Sequence, residues 1–556
     1  MSDQSRGARG LLRPAPHPVP LARLLPGQSG VPADAGAPDL DQVQVSGVTL
    51  DSRIVAPGDL YVALPGARVH GADFAAGAVA AGAVAVLTDP TGAERATVPP
   101  GVPVLVVDAP RQAMAALAAE VYGRPAEALR GFAVTGTNGK TTTTHFLAAA
   151  LHRLGLSVGT IGTIGFRLDD QPLVGPRTTV TTPESVDLQG LLGLMVERGA
   201  DAVAMEVSSH ALALHRADGV RFDVAGFTNL GRDHLEFHHT MANYFEAKAQ
   251  LFTPEHCARA AIVVDDEWGV RLARRLAERG DVPFRTVSWD NHPVPGGRPP
   301  VDYRVTNVDG SWIEVRTPTA EWRFECALPG DFNVRNAVLA LAMIDLANLD
   351  SADARLDAAT AAEAFAELAV PGRMQPVRLG AGAPRAFVDF AHTPQAVDAV
   401  LSAFAAERRA GARVIAVLGA GGDRDPSKRR PMGAVAAATA DVLVVTDDNP
   451  RTEDPAAIRA EVIAGAGENA AEPGDTGERA EVVDGGDRRQ AITAALRLAG
   501  PDDIVAVLGK GHEQGQESNG TTVPFDDATV LAEAWAGLAA GATGQQEQMT
   551  SGEERR

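Results

Sequence analysis

Residues 131–144 read GFAVTGTNGKTTTT, and this stretch decides the fold because it joins an apolar strand to a helix through a glycine loop. The glycines let backbone N–H groups close on an anion, and the helix N-terminus adds a partial positive charge. Lys140 can reach outer phosphates, and Thr141 can offer its hydroxyl to Mg²⁺. The predicted phosphate-binding residues are Gly136, Thr137, Asn138, Gly139, Lys140, Thr141 and Thr142.

The loop departs from the general phosphate-loop pattern at one position. The pattern G-x-x-x-x-G-K-[ST] places a glycine where this chain has Val134, so the loop is a shortened G-x-x-G-K-T-T form. A plain glycine turn between a core strand and a helix is the simpler alternative. Lys140 and Thr141 directly after the glycine and before a helix favour phosphate binding.

Composition limits the kind of protein. The chain has 556 residues, 45% of them hydrophobic and 22% charged, which predicts about three domains. A formal net charge of −21 argues against general binding of nucleic acid or membrane surfaces. Two cysteines, Cys257 and Cys326, give no disulfide framework and suit a reducing compartment. The sequence shows no apolar core of a signal peptide and no uncharged apolar stretch of the ~18 residues that a membrane-spanning helix needs, so we expect a cytoplasmic protein. We also expect a monomer.

The pattern along the chain predicts an α/β fold in three domains. Residues 1–40 are rich in Pro, Gly and Ala and predict a flexible N-terminal arm, 41–129 a small α/β domain, and 130–369 a central domain around the phosphate loop. Residues 370–543 carry four Val/Ile/Leu runs, each followed by a helical pattern, which predicts a parallel, Rossmann-like sheet. Residues 465–480 read as a surface insertion, and 544–556 as a disordered tail.

Polar and glycine clusters follow all four predicted strands of the third domain. Each cluster alone is more typical of a turn, but the carboxyl ends of parallel strands meet at one edge, where such sheets bind ligands. Arg424, Arg451 and Glu513 suggest a ligand with both a carboxylate and an amine, since arginine can pair with one and glutamate with the other. The clusters are DFAHTP (389–394), GGDRD (421–425), DNPR (448–451) and GKGHE (509–513).

The central domain repeats this arrangement. Glu206 follows the apolar run AVAM, and His234 lies in the cluster TNLGRDH after VAGF, on the edge that we expect to carry the phosphate loop. A carboxylate and an imidazole beside a phosphate are reasonable ligands for Mg²⁺, which takes few protein ligands plus phosphate oxygens. Lys248, by contrast, lies in a helical stretch and on spacing alone reads as a solvated lysine.

The motifs together resemble the Mur ligase family, from about residue 45 to about residue 535. The resemblance implies three domains: one for the UDP end of a substrate, one ATPase, and one Rossmann-like domain that brings an amino acid. The matching motifs are LDSR (50–53), GTNGKTT (136–142), TTPES (181–185), MEVSSHAL (205–212), FTNLGRDHLEFH (227–238), YFEAKAQLF (244–252), GDFNVRNAVLA (330–340), PGRM (371–374), DFAHTP (389–394), GGDRDPSKR (421–429), DDNPR (447–451) and GKGHE (509–513).

The family implies a reaction as well as a fold. ATP phosphorylates the terminal carboxylate of UDP-N-acetylmuramoyl-L-Ala-D-Glu, and the amine of the incoming amino acid attacks this acyl phosphate to give an amide, ADP and phosphate. Phosphorylation gives a poor electrophile a leaving group, and Lys140 and Mg²⁺ would offset the repulsion between anions. The implied partners are therefore small molecules and not nucleic acid or membrane.

The resemblance also implies roles for single residues. Lys140, Thr141, Glu206 and His234 would serve phosphate and Mg²⁺. Lys248 aligns with a lysine that carries a CO₂-derived carbamate and so becomes a carboxylate-like metal ligand, which reverses its reading as a solvated residue. The implied ATP contacts beyond the loop are Asn336, Arg373, Asp389 and His392. The implied contacts to the UDP-muramoyl dipeptide are Leu50, Ser52, Thr181, Thr182, Ser208 and Arg216. Leu214 stands where relatives can carry a polar contact (Gln), so that contact is in doubt.

The DDNPR motif implies which amino acid is added. In the family this form goes with diaminopimelate, and lysine-adding relatives lack the arginine. A second carboxylate could pair with Arg451, whereas lysine would leave that guanidinium without a partner, at a cost of several kcal/mol. The open alternatives are a sister ligase adding lysine, D-Ala-D-Ala or glutamate, and a nucleotide-binding protein without turnover. The implied diaminopimelate contacts are Arg424, Asp448, Asn449, Pro450, Arg451, Gly509 and Glu513.

Overall fold

The computed structural model describes residues 13–24, 39–173, 180–289, 297–348, 356–468 and 480–553. The chain divides into two compact units. The first comprises Met1–Leu230, His238–Glu325 and Arg335–Ala366, and the second comprises Gly231–Phe237, Cys326–Val334 and Glu367–Arg556. The first unit thus holds the predicted N-terminal domain and most of the predicted central domain. Residues 231–237, 326–334 and 367–369 of the central domain fall in the second unit with the predicted C-terminal domain.

The N-terminal part of the first unit contains a small parallel sheet. Its four strands neighbour one another in chain order: Gly47–Thr49, Asp59–Ala63, Ala85–Thr88 and Val104–Val106. They correspond to the apolar runs that the sequence marks. The helices here are Ala75–Ala80, Pro90–Arg95 and Pro110–Val121, with 3-10 turns at Leu21–Leu24, Gly71–Phe74 and Pro125–Ala128.

The prediction of a flexible arm is wrong for residues 13–24. Strand Val19–Pro20 pairs antiparallel with Gln44–Val45, and Leu21 and Leu24 are buried in the core of the small sheet. Arg13 anchors the start of this segment, since its Nη1 lies 2.7 Å from Asp59 Oδ1. Two buried leucines outweigh the Pro-rich composition. The rest of the predicted arm lies mainly outside the described residues.

The central sheet of the first unit has eleven strands and carries the phosphate loop near its middle. Seven neighbouring strands are parallel, and hairpins extend the sheet at both ends. The long apolar strands lie in the middle, as expected for a sheet covered on both faces. In spatial order the strands are Gln171–Pro172, Gly165–Leu168, Val158–Gly162, Ala202–Glu206, Arg130–Thr135, Phe222–Phe227, Cys257–Val263, Phe284–Trp289, Tyr303–Asp309, Trp312–Arg316 and Glu321–Glu325.

Helices connect the strands of this sheet. Helix Lys140–Arg153 follows the loop, and helix Met241–Ala249 begins after Thr240, whose side chain accepts the Asn243 N–H. Helix Asp331–Asn348 follows the last strand of the sheet and contains most of the GDFNVRNAVLA motif. The remaining α-helices are Ser185–Glu197, Ser209–Ala213, Leu235–His238, Glu267–Arg279 and Ala358–Ala362, with 3-10 turns Gln250–Phe252 and Glu363–Ala366.

The second unit contains a six-stranded sheet, parallel except for one edge strand. Its four central strands are the predicted Val/Ile/Leu runs, and the edge strands Gln375–Val377 and Glu481–Gly486 were not predicted. In spatial order the strands are Gln375–Val377, Arg385–Asp389, Ile504–Leu508, Val414–Ala420, Val442–Asp447 and Glu481–Gly486. A hairpin pairs Gly515–Ser518 with Thr521–Pro524. The helices are Pro394–Glu407, Arg429–Thr439, Pro455–Glu468, Arg488–Leu498 and Asp527–Glu553, with the 3-10 turn Pro426–Lys428.

Two predictions about irregular segments need correction. The final helix runs Asp527–Glu553, so the disordered tail expected from residue 544 is helical as far as 553. Helix Pro455–Glu468 takes in the first residues of the expected insertion at 465–480, and residues 469–479 lie outside the described part. Residues 544–553 read GQQEQMTSGE, and the Gln, Glu and Met in this stretch have high helix propensity. Within the described ranges, no helix is both long and apolar enough to cross a membrane.

Candidate functional site

The phosphate loop lies between strand Arg130–Thr135 and helix Lys140–Arg153, as predicted. The segment after the neighbouring strand Phe222–Phe227 holds it in place. Asn229 accepts the Asn138 N–H through Oδ1 (3.0 Å), and its backbone oxygen accepts the Thr137 N–H (2.9 Å). Thr228 Oγ1 donates to the Asn138 carbonyl at 2.6 Å. The TNLGRDH motif therefore begins as a clamp on the loop, a role that the sequence did not assign.

Both loop glycines are required by close neighbours. A Cβ on Gly136 would lie 1.8 Å from Thr228 Oγ1, and one on Gly139, whose φ is +86°, would lie 2.4 Å from Asn336 Oδ1. Gly139 is also the N-cap of the helix. The arrangement leaves backbone N–H groups and a helix N-terminus at a cradle with no room for side chains, which fits a phosphate group. Asn336, a predicted ATP contact, thus lies directly against the loop.

Two lysines converge on one carbonyl of the loop. Lys140 Nζ lies 3.0 Å from the Gly136 oxygen and 2.9 Å from the Thr137 oxygen. Lys248 Nζ donates to the same Gly136 oxygen at 2.7 Å, and its side chain is 1% exposed. The reading of Lys248 as a solvated lysine is therefore wrong. A lysine is rarely buried without a specific partner, and this one reaches the phosphate loop across 112 residues.

The amine of Lys248 lies over an aromatic ring. Its Nζ lies 4.7 Å from the centre of the Tyr244 ring, and the Tyr244 hydroxyl lies 3.2 Å from Thr137 Oγ1. His238 stacks on the Tyr244 ring, with ring centres 5.0 Å apart, and its Nε2 lies 2.9 Å from Ser209 Oγ. Helix Met241–Ala249 thus fixes the amine relative to the loop through tightly packed rings.

Glu206 ends the strand next to the loop strand, where the register pairs it with Val134. Its side chain is 1% exposed, and its two oxygens accept the Thr163 N–H at 2.8 Å and the Thr163 hydroxyl at 2.9 Å. A buried carboxylate at this edge, together with Thr141 on the helix, fits a divalent cation held mainly by phosphate. In the described part of the chain, no three His, Cys, Asp or Glu side chains form a metal-binding group.

Several predicted contacts to the UDP substrate lie near Glu206. Thr182 Oγ1 donates to the Glu206 backbone oxygen (2.9 Å) and accepts the Ser208 N–H (3.1 Å), and Thr181 Oγ1 lies 3.1 Å from Thr163 Oγ1. Arg216 contacts the Thr182 carbonyl at 3.4 Å.

Glu184 links Arg216 to the N-terminal part of the same unit. Its carboxylate lies 2.9 Å from Arg216 Nη2 and 2.7 Å from Arg111 Nη1. Glu184 was noted from the sequence only as part of the TTPES motif (181–185). Leu50 and Ser52 are half-buried in the turn after strand Gly47–Thr49, and Leu214 caps helix Ser209–Ala213.

His234 belongs to the second unit, whereas Glu206 and the phosphate loop belong to the first. Its backbone has φ +53°, and its ring is 42% exposed. Its nitrogens lie 3.4 Å from an Asp233 oxygen and 3.6 Å from a Glu236 oxygen. A joint metal role for His234 and Glu206 stays a prediction.

Asp389 ends a central strand of the second unit and is almost fully buried. Its carboxylate accepts the N–H groups of Met374 and Ala391, both at 2.7 Å, and burial raises its pKa. The Arg373 guanidinium lies 4.5 Å from the centre of the Phe390 ring. His392 Nδ1 lies 2.7 Å from the Phe390 carbonyl oxygen, and burial, with the nearby charge of Lys428, lowers the pKa of His392 to about 4.

The carboxyl ends of this sheet bring together the predicted amino-acid contacts. Arg451 follows strand Val442–Asp447, and its Nη1 donates to the Gly422 carbonyl at 2.7 Å. Gly422 N–H in turn donates to the Asn449 carbonyl at 2.9 Å. Arg424 is exposed on the same glycine-rich loop. A Cβ on Gly509 would lie 2.5 Å from Asp448 Oδ2, so only a glycine leaves room for the Asp448 carboxylate at this position.

Lys510 is the centre of this cluster and was missed by sequence reasoning. It is fully buried, and its Nζ lies 3.0 Å from both Asn449 Oδ1 and Glu513 Oε2. Asn449 Nδ2 donates to the same Glu513 oxygen at 2.8 Å. The predicted ammonium acceptor is therefore held by two neighbours. The sequence signal that could have identified Lys510 is its position inside the GKGHE motif (509–513).

The structure corrects the argument that a ligand without a second carboxylate leaves Arg451 unpaired. Arg451 Nε lies 3.3 Å from Glu517 Oε2, a carboxylate that belongs to the chain. Arg451 thus has an ionic partner before any ligand arrives, and the discrimination expected from an unpaired buried charge does not follow.

Comparison with known proteins covers most of the chain. Models of the Mur ligase family catalytic domain, the Mur ligase middle domain and the Mur ligase glutamate ligase domain match residues 44–122, 134–344 and 372–511. Over 518 residues the chain is 47% identical to UDP-N-acetylmuramoyl-L-alanyl-D-glutamate–2,6-diaminopimelate ligase of Streptomyces avermitilis, covering 93% of this chain and 96% of that protein.

Solved structures agree with this relationship. A structure of UDP-N-acetylmuramoyl-L-alanyl-D-glutamate–2,6-diaminopimelate ligase has a TM-score of 0.63 and 29% identity, covering 94% of this chain and all of the other. The MurF ligase of Thermotoga maritima, solved with ADP, has a TM-score of 0.56 and 19% identity over 88% of this chain and 96% of its own, and shares the fold. This chain belongs to the Mur ligase family, whose members are ATP-dependent ligases that form peptide bonds in peptidoglycan precursor synthesis.

Proposed function

We propose that this protein joins diaminopimelate to the D-glutamate of UDP-N-acetylmuramoyl-L-Ala-D-Glu at the expense of ATP. We also propose that the substrate is the meso isomer, that the reaction takes place in the cytoplasm, and that the enzyme is a monomer. One observation carries the choice of amino acid. Arg451, Asn449 and Glu513 lie together at the carboxyl ends of one sheet, where a guanidinium and a carboxylate can meet a ligand with both charges.

The phosphate loop supports the first half of the reaction. The γ-phosphoryl group of ATP would lie at the N-terminus of helix Lys140–Arg153, with Lys140 beside its oxygens. Transfer to the substrate carboxylate forms an acyl phosphate and releases ADP. Positive charge at this place offsets the repulsion between two anions, and the short, clamped loop fixes the geometry before substrates bind.

Thr141, Glu206 and His234 are the proposed Mg²⁺ ligands. The ion, when bound, supplies positive charge to the phosphoryl oxygens. Glu206 fits this role because it is buried at the edge of the sheet beside the loop, with Thr163 fixing both of its oxygens. Thr141 fits because it lies in the first turn of the helix that follows the loop.

We propose in addition that Lys248 carries a carbamate, formed when its neutral amine attacks CO₂ and releases one proton. The carbamate N–H can still donate to the Gly136 oxygen that Lys248 Nζ contacts at 2.7 Å. Protein prepared in ¹³C-bicarbonate should show a carbamate resonance that Lys248→Arg loses. The same spectrum from both proteins would contradict this assignment.

The remaining site residues have proposed substrate roles. Asn336, Arg373, Asp389 and His392 contact the nucleotide, and Asp448, Pro450, Gly509 and Arg424 complete the amino-acid site. The UDP-muramoyl dipeptide is contacted by Leu50, Ser52, Thr181, Thr182, Ser208 and Arg216. Except for the buried Thr182, the residues proposed to contact the dipeptide are half-buried, so their side chains can contact a ligand.

Arg451→Ala tests the amino-acid assignment. Losing the charge-assisted hydrogen bonds between this guanidinium and the ligand carboxylate should lower kcat/KM for diaminopimelate about 30-fold, or about 2 kcal/mol, and leave the KM for ATP within about twofold. Arg489→Ala is the control, because Arg489 is an exposed arginine of the same unit that pairs with Glu533. Wild-type use of diaminopimelate by Arg451→Ala would show that the assignment is wrong.

A further inference from the structure

The guanidinium proposed to bind the distal carboxylate of the substrate already has a carboxylate partner. Arg451 Nε lies 3.3 Å from Glu517 Oε2, and the two side chains are 21% and 43% exposed. Glu517 lies on strand Gly515–Ser518 of the small hairpin. A ligand carboxylate arriving at Arg451 therefore meets an arginine whose charge is partly neutralised.

Arg451 does not need this carboxylate to hold its position. Its N–H donates to the Glu517 backbone oxygen at 3.1 Å, and its own carbonyl accepts the Asn519 N–H at 2.7 Å. Its Nη1 donates to the Gly422 carbonyl at 2.7 Å. The backbone of Glu517 and the glycine loop thus fix the arginine, and the Glu517 side chain contributes charge only.

The contact between the two charges is loose. At 3.3 Å it is longer than the ~2.7–2.9 Å of a charge-assisted hydrogen bond. The hairpin strand opposite, Thr521–Pro524, is exposed along its whole length, so the Glu517 side chain can turn towards water. Within the described residues, the side-chain contacts of Arg451 use Nε and Nη1, which leaves Nη2 able to bind a second carboxylate.

We propose that Glu517 is an exchangeable counter-ion of Arg451, which the distal carboxylate of the incoming amino acid replaces. This inference rests on the proposed function and concerns the same site. An amino acid with a second carboxylate must compete with Glu517. An amino acid without one leaves the pair of Arg451 and Glu517 intact, so it meets no unpaired charge. Glu517 therefore weakens the binding of diaminopimelate and reduces discrimination against lysine.

The test is Glu517→Gln in the full-length protein, assayed by phosphate release with saturating ATP and UDP-muramoyl dipeptide. The KM for meso-diaminopimelate should fall about threefold with kcat unchanged, because exposed ion pairs of this kind are worth about 1.5- to 5-fold. The KM for lysine should not fall. Glu533→Gln is the control, since it removes the same charge from an exposed pair with Arg489 and should leave both constants unchanged.

A merely structural role for Glu517 gives a different result. If the carboxylate positioned Arg451, Glu517→Gln would raise the KM for diaminopimelate, and that result would overturn the proposal. An unchanged KM, or an equal fall with Glu533→Gln, would overturn it as well. Failure of the wild-type protein to use diaminopimelate would instead refute the proposed function itself, so the two failures are distinguishable.

Discussion

Gly139→Ala tests whether the loop before helix Lys140–Arg153 holds a nucleotide. Gly139 has φ +86°, and a Cβ there would lie 2.4 Å from Asn336 Oδ1. Gly155, just beyond the other end of the helix, has φ +80°, and a Cβ there would meet no described heavy atom within 4 Å. Both substitutions place an alanine in the left-handed region, but only the first displaces a neighbour of the loop.

The expected magnitudes differ for this reason. Left-handed backbone costs an alanine about 1–2 kcal/mol, so both variants should lose that much free energy of unfolding. At Gly139, Asn336 must also move, and a lost hydrogen bond to the nucleotide is worth about 1 kcal/mol. Distortion of the N–H groups at the helix N-terminus adds to this. We expect the Kd for ATP to rise at least about tenfold in Gly139→Ala and less than about twofold in Gly155→Ala.

Titration calorimetry with ATP measures both constants, and thermal unfolding of each variant shows that the protein used is folded. Gly155→Ala is a matched control because it carries the same backbone strain at the same helix without the contact to Asn336. If both variants bound ATP as the wild type does, the loop would not be the phosphate cradle. If both lost binding equally, backbone strain alone would account for the effect, and the argument from Asn336 would be wrong.

Three further changes have definite expected results. Asp527→Asn should lower the free energy of unfolding in urea by about 3 kcal/mol, because Arg488 and Asp527 are both fully buried and paired at 2.7 Å; a loss under about 1 kcal/mol would contradict this. Lys510→Met should raise the KM for diaminopimelate and leave that for ATP unchanged, since it frees the side chains that Lys510 holds; equal rises in both would indicate general damage. Burial lowers the pKa of His392 from 6.5 to about 4. Between these two pH values the unfolded chain binds more protons than the folded one, so the free energy of unfolding falls as the pH is lowered from 6.5 to about 4. His392→Gln should flatten this slope in urea titrations at several pH values, and an unchanged slope would refute it.

The sequence predicted the central strands well because each contains a run of apolar residues, as expected for strands covered on both faces of the sheet. Strands Ala202–Glu206, Phe222–Phe227 and Cys257–Val263 are of this kind and lie in the middle of the sheet. Strands Trp312–Arg316 and Glu321–Glu325 at the sheet edge were missed. They carry charged residues on an exposed face, so their short alternating patterns are hard to separate from loops.

Site residues were predictable where they follow a strand and unpredictable where only the tertiary fold brings them close. Glu206 comes directly after an apolar run, Arg451 lies in the polar cluster that follows another, and the sheet edge that such clusters share favoured a site. Nothing in the spacing of Lys248 distinguishes it from a solvated lysine, and its burial depends on packing against the loop 112 residues away. Glu517 meets Arg451 because the backbone of the small hairpin bonds to the backbone of Arg451, whose N–H donates to the Glu517 oxygen. No local sequence pattern indicates this contact.

The most direct test of the account is amino-acid-dependent phosphate release by the wild-type protein. The assay contains UDP-N-acetylmuramoyl-L-Ala-D-Glu, ATP and Mg²⁺, with meso-diaminopimelate, LL-diaminopimelate or lysine added separately, and the products are identified by mass. We predict stoichiometric ADP, phosphate and amide with meso-diaminopimelate, and far less turnover with lysine. Activity with lysine alone, or nucleotide binding without release of phosphate for any amino acid, would contradict the account.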